Sequence, residues 1–279
     1  MLAAFLALLT SLCYGVSNFA GPRLSRGLPT FAVLIAGQVV AFAASAAVLL
    51  ATAAELPSGT VVAAAAGAGA GNAWGLIAFY RAASLGPLSI VTPVGSLAVV
   101  VPVTAGVASG EPLGPVKLAG CVLALAGVAL AARRSVAGPV ENPRAAVWWA
   151  LASAVGFGAF LALVAPASHD GVFWAVAASR VVLLAVMAAA TVVLAAPLRA
   201  PLRRLPIIAV PGLLLFAGTL AYAAATREGD LSVVAVGSSL FPVVTVGLAY
   251  LGGERVSRLQ AFGIAAALAG IVLVSAAGT

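Results

Sequence analysis

Apolar stretches that are each long enough to cross a lipid bilayer follow one another along almost the whole chain. They fall at about 2–21, 30–52, 60–82, 87–108, 113–132, 145–166, 171–195, 206–226, 231–251 and 256–276. A bilayer core about 30 Å thick is crossed by a helix of roughly 20 residues. Because 63% of the 279 residues are hydrophobic and only 8% are charged, little polar surface remains for a soluble domain. The sequence therefore predicts an all-α integral membrane protein with ten transmembrane helices.

The second five stretches repeat the first five at an offset of 143 residues. This offset aligns several Ser, Gly and Glu residues that stand out from the Ala- and Val-rich background: Leu88-Ser89 with Leu231-Ser232, Ser96 with Ser239, Gly110-Glu111 with Gly253-Glu254, and Gly127 with Gly270. An offset one residue shorter aligns Tyr80 with Tyr222. Coincidence of Gly and Glu at one offset, with Tyr one residue away from it, indicates a duplication.

The odd number of helices in each repeat has a geometric consequence. The second copy must enter the membrane from the opposite side, so the halves form an inverted repeat about a pseudo-two-fold axis in the membrane plane. We place the halves at 1–133 and 145–279, with a linker at 134–144. When the two halves exchange conformations, an outward-open state becomes an inward-open one. This favours a secondary transporter that works by alternating access, and not an enzyme.

The net charge of +7 comes from basic residues that lie singly or in pairs between apolar stretches. No basic face for nucleic acid is present in this pattern. With the N-terminus outside, nearly all the basic loop residues lie inside, and only Lys117 and Arg227 lie near outer ends. The positive-inside rule therefore predicts that both termini are outside.

The seven acidic residues all fall at or beyond the predicted helix ends. An antiporter that exchanges a cation for a proton needs a carboxylate buried at its substrate site. We therefore expect a carrier of neutral, zwitterionic or anionic solutes. The sequence shows no catalytic triad, metal cluster or nucleotide loop, so no cofactor and no metal are expected, and Cys13 and Cys121 are interpreted as packing residues.

Arg180 is the one basic residue well inside a predicted span. A charge there is costly and usually faces a cavity or a partner. Arg180 is either an anchor for a substrate carboxylate or a structural residue that bonds helix carbonyls or reaches the interface, and we favour the structural interpretation. The equivalent position in the first half, at an offset of 142, is Gln38.

Other polar and aromatic residues within the spans are expected to face the interior, since unpaired polar groups are unfavourable in lipid. The cavity candidates in the first half are Tyr14, Ser17, Asn18, Gln38, Asn72, Trp74, Tyr80 and Ser96. Those in the second half are Phe157, Arg180, Phe216, Tyr222, Ser238 and Ser239. The alternative for each is an interfacial anchor, for Trp and Tyr, or a bond to a helix carbonyl, for Ser.

Glycine, glutamate and proline positions are given structural roles. Gly67, Gly71 and Gly75 recur every four residues, which predicts close helix packing and not a dinucleotide loop. Glu111 and Glu254 each follow a Gly at the end of the fourth span of a repeat, where a carboxylate caps the next helix. The hinge candidates are Pro87, Pro93, Pro102, Pro211 and Pro242.

With ten spans, two repeats and a Gly-Glu pair closing the fourth span of each, the sequence resembles the drug/metabolite transporter superfamily, specifically its EamA-like ten-helix exporters. The segments that carry the resemblance are 88–97, 110–111, 120 and 127, with their copies at 231–234, 239–240, 253–254, 263 and 270. The resemblance covers essentially the whole chain. It implies an inner-membrane carrier that exports amino acids, other metabolites or drugs through a cavity lined by spans one, three, four, six, eight and nine.

The sequence departs from that pattern in two ways. Gln38 stands where the family commonly has a second Arg, and the charge pattern places the termini outside although the family expectation is cytoplasmic. The leading interpretation is a carrier of a small metabolite, and a multidrug exporter is the alternative within transport. A scramblase or assembly factor that kept the fold is the alternative outside transport. The expected partners are a small solute and lipid, and the sequence is compatible with a monomer or a homodimer.

Overall fold

A computed structural model of the protein describes residues 2–52, 58–108, 114–131, 142–169, 171–198, 202–229, 231–238, 240–253 and 257–276. The α-helices within them are α1 Leu2–Ser25, α2 Thr30–Thr52, α3 Gly59–Leu85, α4 Leu88–Gly95, α5 Val100–Ala108, α6 Pro115–Ala131, α7 Pro143–His169, α8 Val172–Val193, α9 Leu205–Glu228, α10 Leu231–Ser238, α11 Phe241–Leu251 and α12 Arg258–Ala276. No strand occurs in these ranges, and the all-α prediction is confirmed.

The helices reproduce the predicted order of apolar spans. In the described part of the chain, seven helical segments are long and apolar enough to cross a membrane, and two further apolar helices are shorter. The first half comprises α1 to α6 and the second half α7 to α12. The predicted fold class, an integral membrane protein built from two inverted five-helix repeats, is confirmed.

The fourth and ninth spans differ from the prediction because neither is one continuous α-helix. The fourth consists of α4, a 3-10 segment at Ser96–Val99, and α5. The ninth consists of α10 and α11, which begins at Phe241 with Pro242 in its first turn. Proline has no N–H to donate, so Pro102 leaves the carbonyl of Ala98 without its helical bond and Pro242 does the same for Ser238. The two breaks lie at repeat-equivalent positions.

Helices of one half pack mainly against helices of the other half. The main pairs are α3 with α7, α1 with α9, and α6 with α12. Small residues permit the closest approaches: a methyl group on Gly71 would lie 2.9 Å from the carbonyl oxygen of Gly156, and one on Gly69 would overlap the carbonyl oxygen of Ser179. Gly71 belongs to the predicted glycine series, and its contact gives the predicted packing role a physical basis. The two repeats form one interlocked bundle.

Candidate functional site

A central pocket lies between the two halves, at the level of the broken spans. It is lined by Tyr14, Asn18, Asn72, Ser96, Ala98, Val99, Phe157, Phe160, Leu161, Leu215, Thr219, Ser238 and Phe241. These residues come from spans one, three, four, six, eight and nine, which are the spans that the resemblance implies. The cavity volume of the central pocket is about 40 Å³, which is room for roughly three water molecules. A larger solute therefore requires the walls to move apart.

Polar groups without protein partners face this pocket. Asn18 and Asn72 are 6% and 7% exposed, and neither amide is hydrogen-bonded within the described part of the chain. The hydroxyl of Ser238 is buried and also has no partner there. Ser96 differs, because its hydroxyl donates to the Pro93 carbonyl at 2.6 Å. Buried polar groups are normally satisfied, so the three open ones are available to a solute or to water.

Arg180 lies behind the pocket wall and does not line the pocket. Its guanidinium donates to Gln38 Oε1 at 2.6 Å, to Thr219 Oγ1 at 2.6 Å and to the Leu215 carbonyl at 3.1 Å. Thr219 Oγ1 lies 3.2 Å from the hydroxyl of Tyr14. Both Thr219 and Tyr14 line the pocket. A chain of hydrogen bonds thus connects the guanidinium to the pocket surface.

The positive charge of Arg180 has no acidic partner in the ranges that the structure describes. Arg180 is 1% exposed, and its three described acceptors are an amide, a hydroxyl and a carbonyl. Its Nε atom is buried without a described hydrogen-bond partner. Glu228, at the far end of α9, is the one acidic residue that the described ranges include. Within the described ranges the charge is therefore solvated by dipoles, without a neutralising carboxylate.

Several predicted cavity residues lie elsewhere. Trp74 is 47% exposed and its ring lies 6.2 Å from that of Trp149. The hydroxyl of Ser17 donates to the Pro211 carbonyl at 3.0 Å and joins α1 to α9. Phe216 packs against buried residues of α8. The structure brings none of these three to the central pocket.

Tyr80 and Tyr222, which are repeat equivalents, have contrasting surroundings. Tyr80 borders a second cavity of about 230 Å³, together with Pro22, Ser25, Arg26, Thr30, Ala83 and Ser84. Tyr222 is fully buried, and its hydroxyl donates to the Leu161 carbonyl at 3.2 Å. The inverted topology places the two tyrosines towards opposite faces of the membrane. Tyr80 therefore borders a cavity near one face, whereas Tyr222 is packed in an apolar cluster towards the other.

On the Tyr222 side, an apolar cluster lies next to the pocket. Its buried members include Phe160, Leu161, Val164, Tyr222 and Val234. Phe160 and Leu161 also line the pocket, so the cluster separates the pocket from the face at which α9 ends. The cavity beside Tyr80 is larger than the central pocket, but its lining residues include none of the broken spans and none of the unpaired polar groups.

Three predicted positions lie outside the described residues: Ser239, Glu111 and Glu254. The same holds for most of the predicted linker. Among the described residues, no group of three or more His, Cys, Asp or Glu side chains is placed to hold a metal ion.

Thr219 was missed at the sequence level, although it connects Arg180 to the pocket. It lies three residues before Tyr222, a predicted cavity residue, and therefore on the same helix face. That spacing is the sequence signal that points to Thr219. Phe160 and Phe241 were also missed, because the sequence does not show whether an apolar residue of a span faces lipid or the interior of the bundle.

Comparison with known proteins gives a family. The model described as the EamA-like transporter family matches residues 1–133 and 144–276. One solved crystal structure covers 99% of this chain and 98% of its own chain, with a TM-score of 0.74 and 19% sequence identity. At that identity the similarity shows the fold alone. No curated protein matches the sequence.

Proposed function

Because this chain belongs to the EamA-like transporter family and is a multi-pass membrane transporter, we propose that it is a secondary transporter. It moves a small metabolite, such as an amino acid or a related solute, across the cytoplasmic membrane by alternating access. The observation that carries the proposal is the central pocket between two inverted halves, with Asn18, Asn72 and Ser238 unpaired at its surface.

The unequal surroundings of Tyr80 and Tyr222 support alternating access. One tyrosine borders an open cavity and the other lies in a closed cluster. In an inverted repeat, exchange of the two arrangements moves the opening to the other face. The broken spans at Ser96 and Ser238 supply backbone that can bend where the pocket lies.

A multidrug exporter is the second candidate, and the apolar wall of the pocket favours it. Phe157, Phe160 and Phe241 supply aromatic surface that would accept many lipophilic solutes. The two candidates differ in what the polar groups do. A metabolite carrier depends on the amides of Asn18 and Asn72, whereas a broad apolar site tolerates their replacement.

The test is flux into proteoliposomes that contain the purified protein, measured against a panel of amino acids, organic acids and lipophilic cations, with and without a pH gradient. We expect saturable flux of a small polar solute that Asn72→Ala reduces and Trp74→Ala, on the lipid-facing side of the same helix, does not. Flux of lipophilic cations that is unaffected by Asn72→Ala would support the exporter. No flux of any solute would contradict both.

A further inference from the structure

The hydrogen bonds of Arg180 determine which groups the pocket wall presents to a solute. Arg180 is a donor only, and it donates to both Thr219 Oγ1 and the Leu215 carbonyl. The Thr219 hydroxyl also donates to that carbonyl at 2.7 Å. Because Arg180 already satisfies the carbonyl, the single Thr219 proton is free to turn towards the pocket.

The same reasoning extends to Tyr14. Its hydroxyl lies 3.2 Å from Thr219 Oγ1, an oxygen that already accepts a hydrogen bond from a guanidinium. The Tyr14 proton can therefore be given to an acceptor in the pocket, and the oxygen of a carboxylate is the strongest such acceptor. By the lengths of hydrogen bonds in series, a carboxylate bound to the Thr219 hydroxyl would lie up to about 5 Å from the guanidinium and one bound to the Tyr14 hydroxyl up to about 8 Å.

We propose that Arg180 is a positioning residue that makes the central pocket select solutes with a carboxylate group, acting through Thr219 and Tyr14 without touching the solute. The proposal rests on the proposed function for its site, but it concerns binding preference and not movement. Its physical basis is the buried charge of Arg180, which has no carboxylate partner among the described residues. The pocket beside it has low polarity, so the attraction between the guanidinium and a solute carboxylate is screened far less than in water.

The decisive comparison uses pairs of solutes that differ only in the carboxylate, namely leucine with leucinamide and N-acetyl-leucine with N-acetyl-leucinamide. Binding to the purified protein in detergent is measured for each pair, and flux is measured in proteoliposomes. The wild type should bind the acid at least about ten-fold more tightly than the amide. Equal binding of both members by the wild type would overturn the proposal.

Two variants remove the net positive charge by different routes. Arg180→Gln deletes the charge and the donors. Gln38→Glu keeps Arg180 and places a carboxylate where an amide oxygen lies 2.6 Å from the guanidinium. Both should reduce the acid-over-amide preference to near one while binding of the amide changes little. Gln38→Glu carries the test if Arg180→Gln does not fold, and an unchanged preference in it would overturn the proposal.

Matched control variants separate an effect on the acid-over-amide preference from a general loss of the folded protein. Gln38→Met removes the acceptor but keeps the charge, so the preference should persist. Thr219→Val removes the hydroxyl and should lower the preference, whereas Thr219→Ser keeps the hydroxyl and should retain the preference. Equal loss of acid and amide binding in every variant would mean that Arg180 is structural only. A preference that depends on Arg180 in a protein without flux would contradict the proposed function and leave this inference standing.

Discussion

Arg180 and Gln38 occupy equivalent positions in the two repeats and are hydrogen-bonded to each other, with 2.6 Å between Nη1 and Oε1. The pseudo-two-fold axis therefore passes close to this pair. When the two halves exchange conformations, the pair maps onto itself, so the contact can persist in both states. This bond between the halves is asymmetric, with a cation on one side and an amide on the other.

The first prediction concerns the stability that this bond provides. Gln38→Met keeps the size of a fully buried side chain but removes an acceptor from a buried guanidinium. We expect the free energy of unfolding to fall by about 1–3 kcal/mol, measured by thermal unfolding of the purified protein. Gln38→Glu is the matched variant and should be less destabilising, since it restores the acceptor. Equal stability of Gln38→Met and the wild type would show that the bond contributes nothing.

The second prediction uses the glycines of α3. A methyl group on Gly69 would overlap the backbone oxygen of Ser179, whereas Gly59 on the same helix has nothing within 4 Å. Gly69→Ala should lower the free energy of unfolding by about 1–3 kcal/mol because two helix backbones must separate. Gly59→Ala should leave it nearly unchanged. Thermal unfolding of the two variants measures the difference, and similar losses in both would refute the packing interpretation.

The third prediction concerns the break in the ninth span. Pro242→Ala returns an N–H that can bond the Ser238 carbonyl, which favours continuing α10 into α11. We expect slower transport with little change in solute affinity, because the break is a hinge and not a binding group. Pro206, in the first turn of α9, is the control, and Pro206→Ala should alter neither quantity. A change confined to affinity would contradict the hinge.

The number and order of spans were predictable because the membrane imposes both. A span must be apolar over roughly 20 residues, and an odd repeat must invert. The helical breaks were less visible, since Pro93 and Pro102 occur in a strongly apolar stretch and indicate only that a kink is possible there. Of the cavity candidates, Tyr14, Asn18, Asn72, Ser96, Phe157 and Ser238 line the central pocket, and their role in binding a solute stays a prediction.

Positions that were misplaced share a physical reason. Polarity predicts that a side chain avoids lipid, but it does not predict what satisfies that side chain. Ser17 is satisfied by the Pro211 carbonyl and Gln38 by Arg180, so neither needs the pocket. Trp74 shows the converse, because an indole tolerates an exposed position. Both interpretations of Arg180 describe part of its surroundings. Its guanidinium donates to a helix carbonyl, as the structural interpretation expects, and it also donates to the hydroxyl of Thr219, which lines the pocket.

The fourth prediction concerns membrane orientation. The positive-inside count places both termini outside the cytoplasm. In a background with Cys13→Ala and Cys121→Ala, a cysteine introduced after Ala277 should react with an impermeant thiol reagent added to intact cells. A cysteine at Arg144, at the start of α7, is predicted to lie on the other side and to react only after the membrane is opened. The reverse pattern would place both termini in the cytoplasm.

The most direct test of alternating access follows Ser84 and Thr226, which stand at the same offset as Tyr80 and Tyr222. Ser84 borders the cavity beside Tyr80, and Thr226 is 8% exposed on the Tyr222 side. In the cysteine-free background, Ser84→Cys should be labelled by an aqueous thiol reagent and Thr226→Cys should be protected. A saturating transported solute should make Thr226→Cys reactive from the opposite side of the membrane. If Thr226→Cys stays protected under every transported solute, or reacts from the same side as Ser84→Cys, the protein does not alternate access between its two halves.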